Sequence, residues 1–291
     1  AAGRTMSYGS IPGAVSEEIS GIPFYRRITD LEAHFDEKKE ELVEILQTLL
    51  KMIFRPENLM VDFVGEEKAV GLLDAPVEAF KAALYTEAVE MAHYIPEVSR
   101  KNEGFLTSGQ VNYVCRAGNF RKSGLNYTGA LRVLKVMLGY EYLWVNVRVK
   151  GGAYGCMCSF GRSGDSYFVS YRDPNLGRTI DIYEKAADAI AEFTADERTM
   201  TQYIIGAVSD LDVPMNPAAK GLYSLSAYMT GLDDAALQRE REELLSATVE
   251  DIRALSAHIR AFMQEDLLCV VGTASKVKEE QDRFLKVENL F

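Results

Sequence analysis

Apolar residues recur at threes and fours through Leu31, Phe35, Leu42, Ile45, Leu46, Leu49 and Ile53, with acids between them. That spacing predicts a helix over 30–54. Arg55-Pro56 ends it, because the residue before a proline is pushed out of the helical region. Positions 59–64 (Leu-Met-Val-Asp-Phe-Val) then alternate like a strand that Gly65 closes. The following 66–94 is charged with helical spacing, interrupted by Pro76. Ahead of the first helix, 1–29 is rich in Gly, Ser and Pro and reads as loop and short strand. Pro96, polar residues and Gly104 across 95–109 place a module boundary near residue 100.

The second half opens on a strand over 110–120, marked by Val111, Tyr113 and Cys115. Thr128 or Asn126 is then positioned to cap a helix through Leu131, Leu134, Leu138, Tyr142 and Val145 towards Arg148. Its core, 131–147, is apolar nearly all round, which implies burial on more than one side. Periodicity leaves 142–149 open between helix and strand, since β-branched and aromatic residues cluster there. Strands over 153–160 and 166–172 flank a Gly-Arg-Ser-Gly-Asp loop, the pattern of a β-hairpin. Ile180, Tyr183, Ala187, Ile190 and Phe193 line one face of the next helix. Thr194 and Glu197 have capping-box spacing for another, running to about 211. Pro214 and Pro217 break it, and helical patterns resume over 218–230, 233–246 and 249–263, the last with Thr248 as N-cap. A final strand over 267–272 precedes a charged helix. The order helix, 56–65, charged helix recurs as helix, 265–272, charged helix, which predicts tandem homologous modules.

At 291 residues, 47% hydrophobic and 26% charged, the chain has room for two domains and a large core without metal or disulfide staples. A net charge of −11 argues against nucleic acid and against an anionic membrane surface as partners. The four cysteines, at 115, 156, 158 and 269, are too scattered for a disulfide scaffold and suggest a reducing compartment. No signal peptide and no membrane-length apolar run is visible, so the expected location is cytoplasmic. The start, Ala-Ala-Gly-Arg, lacks an initiator Met, and the reading that follows is of an excised piece whose targeting segment is missing.

Candidate chemistry concentrates at Lys150-Gly151-Gly152, where Arg148 enters a tight turn and Tyr154 leaves it. Glycines let the backbone turn sharply or approach another chain closely. A fixed cation and a phenol, both hydrogen-bond donors, can hold a carbonyl oxygen or the negative charge that grows on it during acyl transfer. The plainer alternative is a solvated or ion-paired arginine beside a packed tyrosine.

The run Glu141-Tyr-Leu-Trp-Val-Asn-Val-Arg-Val-Lys-Gly-Gly-Ala-Tyr-Gly155 resembles the C-terminal module of the pitrilysin family of zinc metallopeptidases, in its presequence-protease-like branch. Gln110-Val-Asn-Tyr-Val114, Tyr167-Phe-Val-Ser-Tyr-Arg172-Asp-Pro174, Met6-Ser-Tyr8 and Gly21-Ile-Pro-Phe-Tyr25 match in consistent order. The resemblance implies an α/β (α+β) sandwich with an antiparallel-rich sheet packed against helices. It implies the tail of a preceding module plus linker over 1–100 and a complete C-terminal module over 101–291.

That family binds zinc through H-x-x-E-H, two histidines one helical turn apart with glutamate as general base. Of His34, His93 and His258, only His34-Phe-Asp-Glu37-Lys38 approaches the pattern. Lysine stands in the second ligand position there, and an ammonium cannot ligate zinc. His34 therefore reads as a helix-surface residue, with no metal or cofactor expected in this chain and zinc expected in a missing N-terminal half. Cys156 and Cys158 share one strand face and read as small buried residues. Lys150-Gly151-Gly152 lacks the spacing of a phosphate-binding loop. The acidic runs 36–41 and 239–243 read as solvated helix faces.

In the family, the C-terminal half closes over the zinc-bearing half to form a chamber that admits unstructured peptides. The resemblance places Tyr154 on the scissile carbonyl or its oxyanion and Arg148 on a neighbouring backbone carbonyl or the same oxyanion. Gly151, Gly152 and Ala153 would line the substrate backbone, and the chain alone would be inactive. Two other classes stay open: an inactive scaffold of the same fold, and a module that captures extended peptides by strand addition.

Overall fold

The computed structural model describes residues 1–90 and 93–290. The chain divides into two compact units, one of residues 1–24, 96–212 and 235–291, the other of residues 25–95 and 213–234.

The first unit is built on a six-stranded mixed sheet. Its strands are β1 (Glu103–Thr107), β2 (Asn112–Asn119), β3 (Gly155–Phe160), β4 (Asp165–Asp173), β5 (Leu267–Thr273) and β6 (Lys286–Asn289). They lie in the order β3-β4-β2-β5-β1-β6. The pairs β3–β4, β4–β2 and β2–β5 are antiparallel, and β1 pairs parallel with both β5 and β6. This is the α/β sandwich with an antiparallel-rich sheet that the sequence implies. Along β5 the side chains alternate, as a pleated strand requires. Leu268 and Val270 enter the main core, while Leu267 and Cys269 enter a smaller cluster on the other face.

Helices Ala130–Met137, Gly177–Glu184, Ala186–Ala191, Glu197–Leu211, Val249–Ala254 and Ser256–Gln264 cover the main face. Leu131, Leu134, Ile180, Tyr183, Ile190 and Phe262 meet there against Phe168, with the Phe168 and Phe262 rings edge to face at 5.2 Å. Burial of so many aliphatic and aromatic side chains is what stabilises this unit. The N-terminal segment covers part of the other face. Tyr8 packs with Phe105, Leu267 and Cys269. Its hydroxyl and the Arg4 Nε both donate to Glu103 Oε2 at 2.7 Å. Burial alone would raise the Glu103 carboxyl, but these two hydrogen bonds, with the charges of Arg4 and Lys101, outweigh it and hold the group below the usual carboxylate range.

Several expectations are corrected. Residues 1–29 are helical, not loop and strand: Ala2–Met6, Ile11–Ser20 and Ile22–Ala33. The Ser and Pro that suggest breakers are start signals instead, for Ser10 caps its helix by accepting from Gly13 N and Pro12 sits in the first turn. No strand forms at 59–64, where no ladder partner exists among the described residues, so the repeat with 265–272 fails at its central element. Helix within 66–94 is limited to a 3-10 segment, Glu67–Leu72, and Asp74–Ala82, with Pro76 tolerated in the first turn. Positions 91–92 of that stretch lie outside the described residues. Asp196, not Thr194, caps Glu197–Leu211, accepting from Thr199 N at 2.8 Å. Thr248 does cap Val249–Ala254, in a reciprocal capping box with Asp251.

The second unit contains Phe35–Ile53, Asp74–Ala82 and Pro217–Thr230, none with a buried residue. The apolar stripe through Ile45, Leu46, Leu49 and Ile53 is exposed. No helix among the described residues is long and apolar enough to cross a membrane.

Candidate functional site: a braced turn between a π-helix and an edge strand

The open question at 142–149 resolves as helix of an uncommon kind. After Ala130–Met137 the chain continues through π-helical segments Leu138–Tyr142 and Trp144–Val149. Leu143 and Val147 are fully buried, while Trp144 and Arg148 share the outward face. Within this helix, Asn146 Nδ2 donates to Tyr142 O at 2.9 Å. π-Helical turns are rare and concentrate at functional sites. Thr128 Oγ1 accepts from Ala130 N at 3.4 Å and its carbonyl from Leu131 N at 3.1 Å, but the residue at the cap is Gly129.

The helix closes onto Gly151-Gly152. A β-carbon on Gly151 would stand 2.3 Å from Val147 O, and Gly152 adopts φ +82°, so each glycine is required for its own reason. Gly152 N donates to Arg148 O at 2.7 Å and Ala153 N to Val147 O at 3.2 Å. Ala153 is buried, so neither its methyl nor these two N–H groups face outward. The turn's outward groups are the side chains on either side of it.

Tyr154 leaves the turn with its ring 57% exposed and its N–H bonded to Arg172 O at 3.3 Å. The ring stands edge-on to Tyr171 at 5.4 Å. The Arg148 guanidinium lies 5.8 Å from its centre and that of Arg172 lies 5.6 Å away. Arg148 is held from behind by Trp144, 3.9 Å from guanidinium to ring centre. The structure thus brings Arg148, Gly151, Gly152, Ala153 and Tyr154 together, and adds Arg172 and Trp144.

A buried polar network fixes this geometry. The Asp173 carboxylate accepts from Asn175 N at 2.8 Å and from Thr179 Oγ1 at 2.7 Å. Asn175 Nδ2 donates to Gly151 O at 2.6 Å, tying the turn to the end of β4. Asn112 Nδ2 donates to Asp173 O at 2.9 Å, and its Oδ1 accepts from Thr273 N, adding the start of β2 and the end of β5. Sequence reasoning did not single out these brace residues. The Asp173-Pro174-Asn175 triplet, a turn signal directly after a strand, was the available clue.

The other candidates lie apart from chemistry. His34 occupies the position before Phe35–Ile53 without a side-chain cap bond, its Nδ1 lies 2.9 Å from Asp30 O, and Lys38 pairs with Asp30. Among the described residues no group of three or more His, Cys, Asp or Glu is placed to hold a metal, so the side chains present do not fit a zinc site. The four thiols are free. Burial pushes Cys115 and Cys158 up to about 12 and Cys156 and Cys269 up to about 11. Such thiols are inert rather than nucleophilic.

Residues 102–276 match the family model described as the PreP C-terminal domain. The chain is 37% identical over 287 residues to "Protein HypA" of Clostridium perfringens, covering 99% of this chain and 29% of that protein. It is 30% identical over 293 residues to "Presequence protease 1, chloroplastic/mitochondrial" of Arabidopsis thaliana, covering 99% and 27%. The chain therefore spans under a third of the length of these relatives. A crystal structure of a peptidase M16 inactive domain from Pseudomonas fluorescens is similar at a TM-score of 0.49 and 16% identity, over 70% of this chain and 51% of that one. The family model covers the sheet core, the π-helix, the braced turn and Tyr154 together, and the chain belongs to the PreP C-terminal domain family.

Proposed function

We propose that this chain is the non-zinc-binding C-terminal part of a presequence-protease-like zinc metalloendopeptidase that degrades unstructured peptides. Its partner is an N-terminal half carrying the zinc, and the chain closes the chamber over that half. The observation that carries this reading is the convergence of Arg148 and Tyr154 beside one braced turn, inside the region matched by the family model.

The chemistry assigned to these residues is binding and charge stabilisation. Tyr154 donates its hydroxyl proton in a hydrogen bond to the scissile carbonyl oxygen, strengthening as negative charge develops there. Arg148 holds a neighbouring backbone carbonyl or shares the oxyanion. Gly151, Gly152 and Ala153 keep the wall of the site thin enough for a peptide backbone to approach. Supplying these donors from a part that closes over the substrate couples peptide capture to assembly of the site. β3 is an edge strand that begins directly after Tyr154, and its free side supports binding of the peptide in extended form.

The test is metal analysis and peptide cleavage by the purified chain, with and without added zinc. The expected result is no stoichiometric zinc and no cleavage. Stoichiometric zinc with chelator-sensitive cleavage would overturn the division of labour.

A further inference from the structure

β4 carries one more residue than its partner needs. Asn112 of β2 faces Asp173 and Val114 faces Ser170, so Tyr171 and Arg172 together oppose Tyr113. A bulge of this kind re-aims the side chains on its strand. Arg172 sits in it at φ +49°, in the left-handed region that crowds a β-carbon. Asn102 and Asp266 also have positive φ, but they belong to the residue types that tolerate it. Their side chains are also engaged: Asn102 Oδ1 accepts from Leu268 N, and Asp266 pairs with Arg100 and Arg116. No hydrogen bond or ion pair of the Arg172 side chain accounts for its conformation among the described residues.

What the conformation achieves is placement. The exposed Arg172 guanidinium stands 5.6 Å from the centre of the Tyr154 ring, and Arg148 lies 5.8 Å from the same ring. Neither arginine has a carboxylate partner among the described residues, whereas Arg162 is bidentate on Glu240 and Arg116 is paired with Asp266. Two like charges held around one phenol favour the arrival of an anion. A planar guanidinium matches a carboxylate best. Arg148 is already occupied by the Trp144 face at 3.9 Å, which leaves Arg172 as the freer group.

We propose that Arg172 forms a subsite for a carboxylate of the bound peptide, an acidic side chain or the C-terminus, next to the bond held by Tyr154. The subsite rests on the proposed peptidase reading and extends it to substrate preference.

The test uses the complete protein, zinc-bearing half included, with wild type, Arg172→Gln and Arg172→Gly. Glycine is the residue best suited to φ +49°, so the second variant keeps the bulge while removing the cation. Two peptide pairs separate the carboxylate's source: Glu against Gln near the cleaved bond, and free acid against C-terminal amide. Cleavage is measured as kcat/KM, and binding by anisotropy on chelator-treated protein. Wild type should favour the acidic member of at least one pair by about tenfold, the scale of one charged hydrogen bond, with both variants near parity. Parity in wild type for both pairs, or a preference that survives in both variants, overturns the subsite. Cleavage without discrimination leaves the peptidase reading standing. Arg172-dependent discrimination in binding, with no cleavage by wild type, sinks the peptidase reading and keeps the subsite.

Discussion

The Arg148 guanidinium lies 3.9 Å from the centre of the Trp144 ring, the contact that aims it across the Gly151-Gly152 turn towards Tyr154. Trp144 is itself 39% exposed, so its ring supports Arg148 more than it fills the core. A cation–π contact at such a site contributes about 0.5–1 kcal/mol. On the proposed peptidase reading, Trp144→Ala in the complete protein should therefore lower kcat/KM for peptides roughly two- to fivefold. Trp144→Phe should recover part of the loss. Equal kinetics in all three proteins would remove the aiming role.

The brace beneath the turn makes a prediction about stability. Asp173 is fully buried and satisfies Asn175 N and Thr179 Oγ1. Asp173→Ala leaves both donors without a partner and should destabilise the first unit by about 3 kcal/mol, read by urea unfolding. A change below 0.5 kcal/mol would mean that water replaces the carboxylate and that the brace does not hold the turn.

The two glycines should differ. Gly152 has φ +82°, and a β-carbon there would meet only Pro174 Cγ at an ordinary 3.5 Å, so Gly152→Ala should cost roughly 1 kcal/mol, as backbone strain. Gly151→Ala meets the Val147 carbonyl at 2.3 Å and must move the backbone, at a cost of about 1–3 kcal/mol with a displaced turn. The check is unfolding of both variants beside peptide turnover, where Gly151→Ala should lose more activity for each kcal/mol of stability lost.

Alkaline pH should weaken the fold. Folding raises all four thiols above an ordinary value near 9.0, to about 11 or 12, through burial. The folded state then holds protons that the unfolded chain releases. The stabilisation is complete below pH 9 and is lost as pH rises through 11 to 12. The Tm should be flat from pH 7 to 9 and fall above it, and a disulfide reagent at pH 8 should find the buried Cys115, Cys158 and Cys269 only after denaturation. Rapid native labelling of these three would contradict this burial.

Much of the sheet's centre is legible in the sequence. Strands β2, β3, β4 and β5 and the hairpin loop appear where the pattern puts them, because each strand is a short β-branched or apolar segment bounded by turn residues. β1 is hidden because the partners of the Glu103 carboxylate, Arg4 and Tyr8, lie about a hundred positions away in the chain, and Gly104 reads as a break. The stretch 59–64 has a strand's pattern and no strand beside it, so pattern alone misleads.

The same division holds at the site. Arg148 and Tyr154 stand out because the Gly-Gly turn between them is local. The π-helical geometry is not legible, since it differs from an α-helix by one residue per turn within an apolar run. Asn112, Asn175 and Arg172 stay hidden for a different reason. Their roles depend on a strand bulge and on pairings over long separations that no local pattern encodes.

The proposed peptidase reading is tested most directly by peptide turnover of the complete protein carrying Tyr154→Phe, which deletes one hydroxyl and leaves the ring between Arg148 and Arg172. The account predicts kcat reduced roughly a hundredfold, the cost of losing one oxyanion donor, with an unaltered Tm. Wild-type kcat in this variant would contradict it.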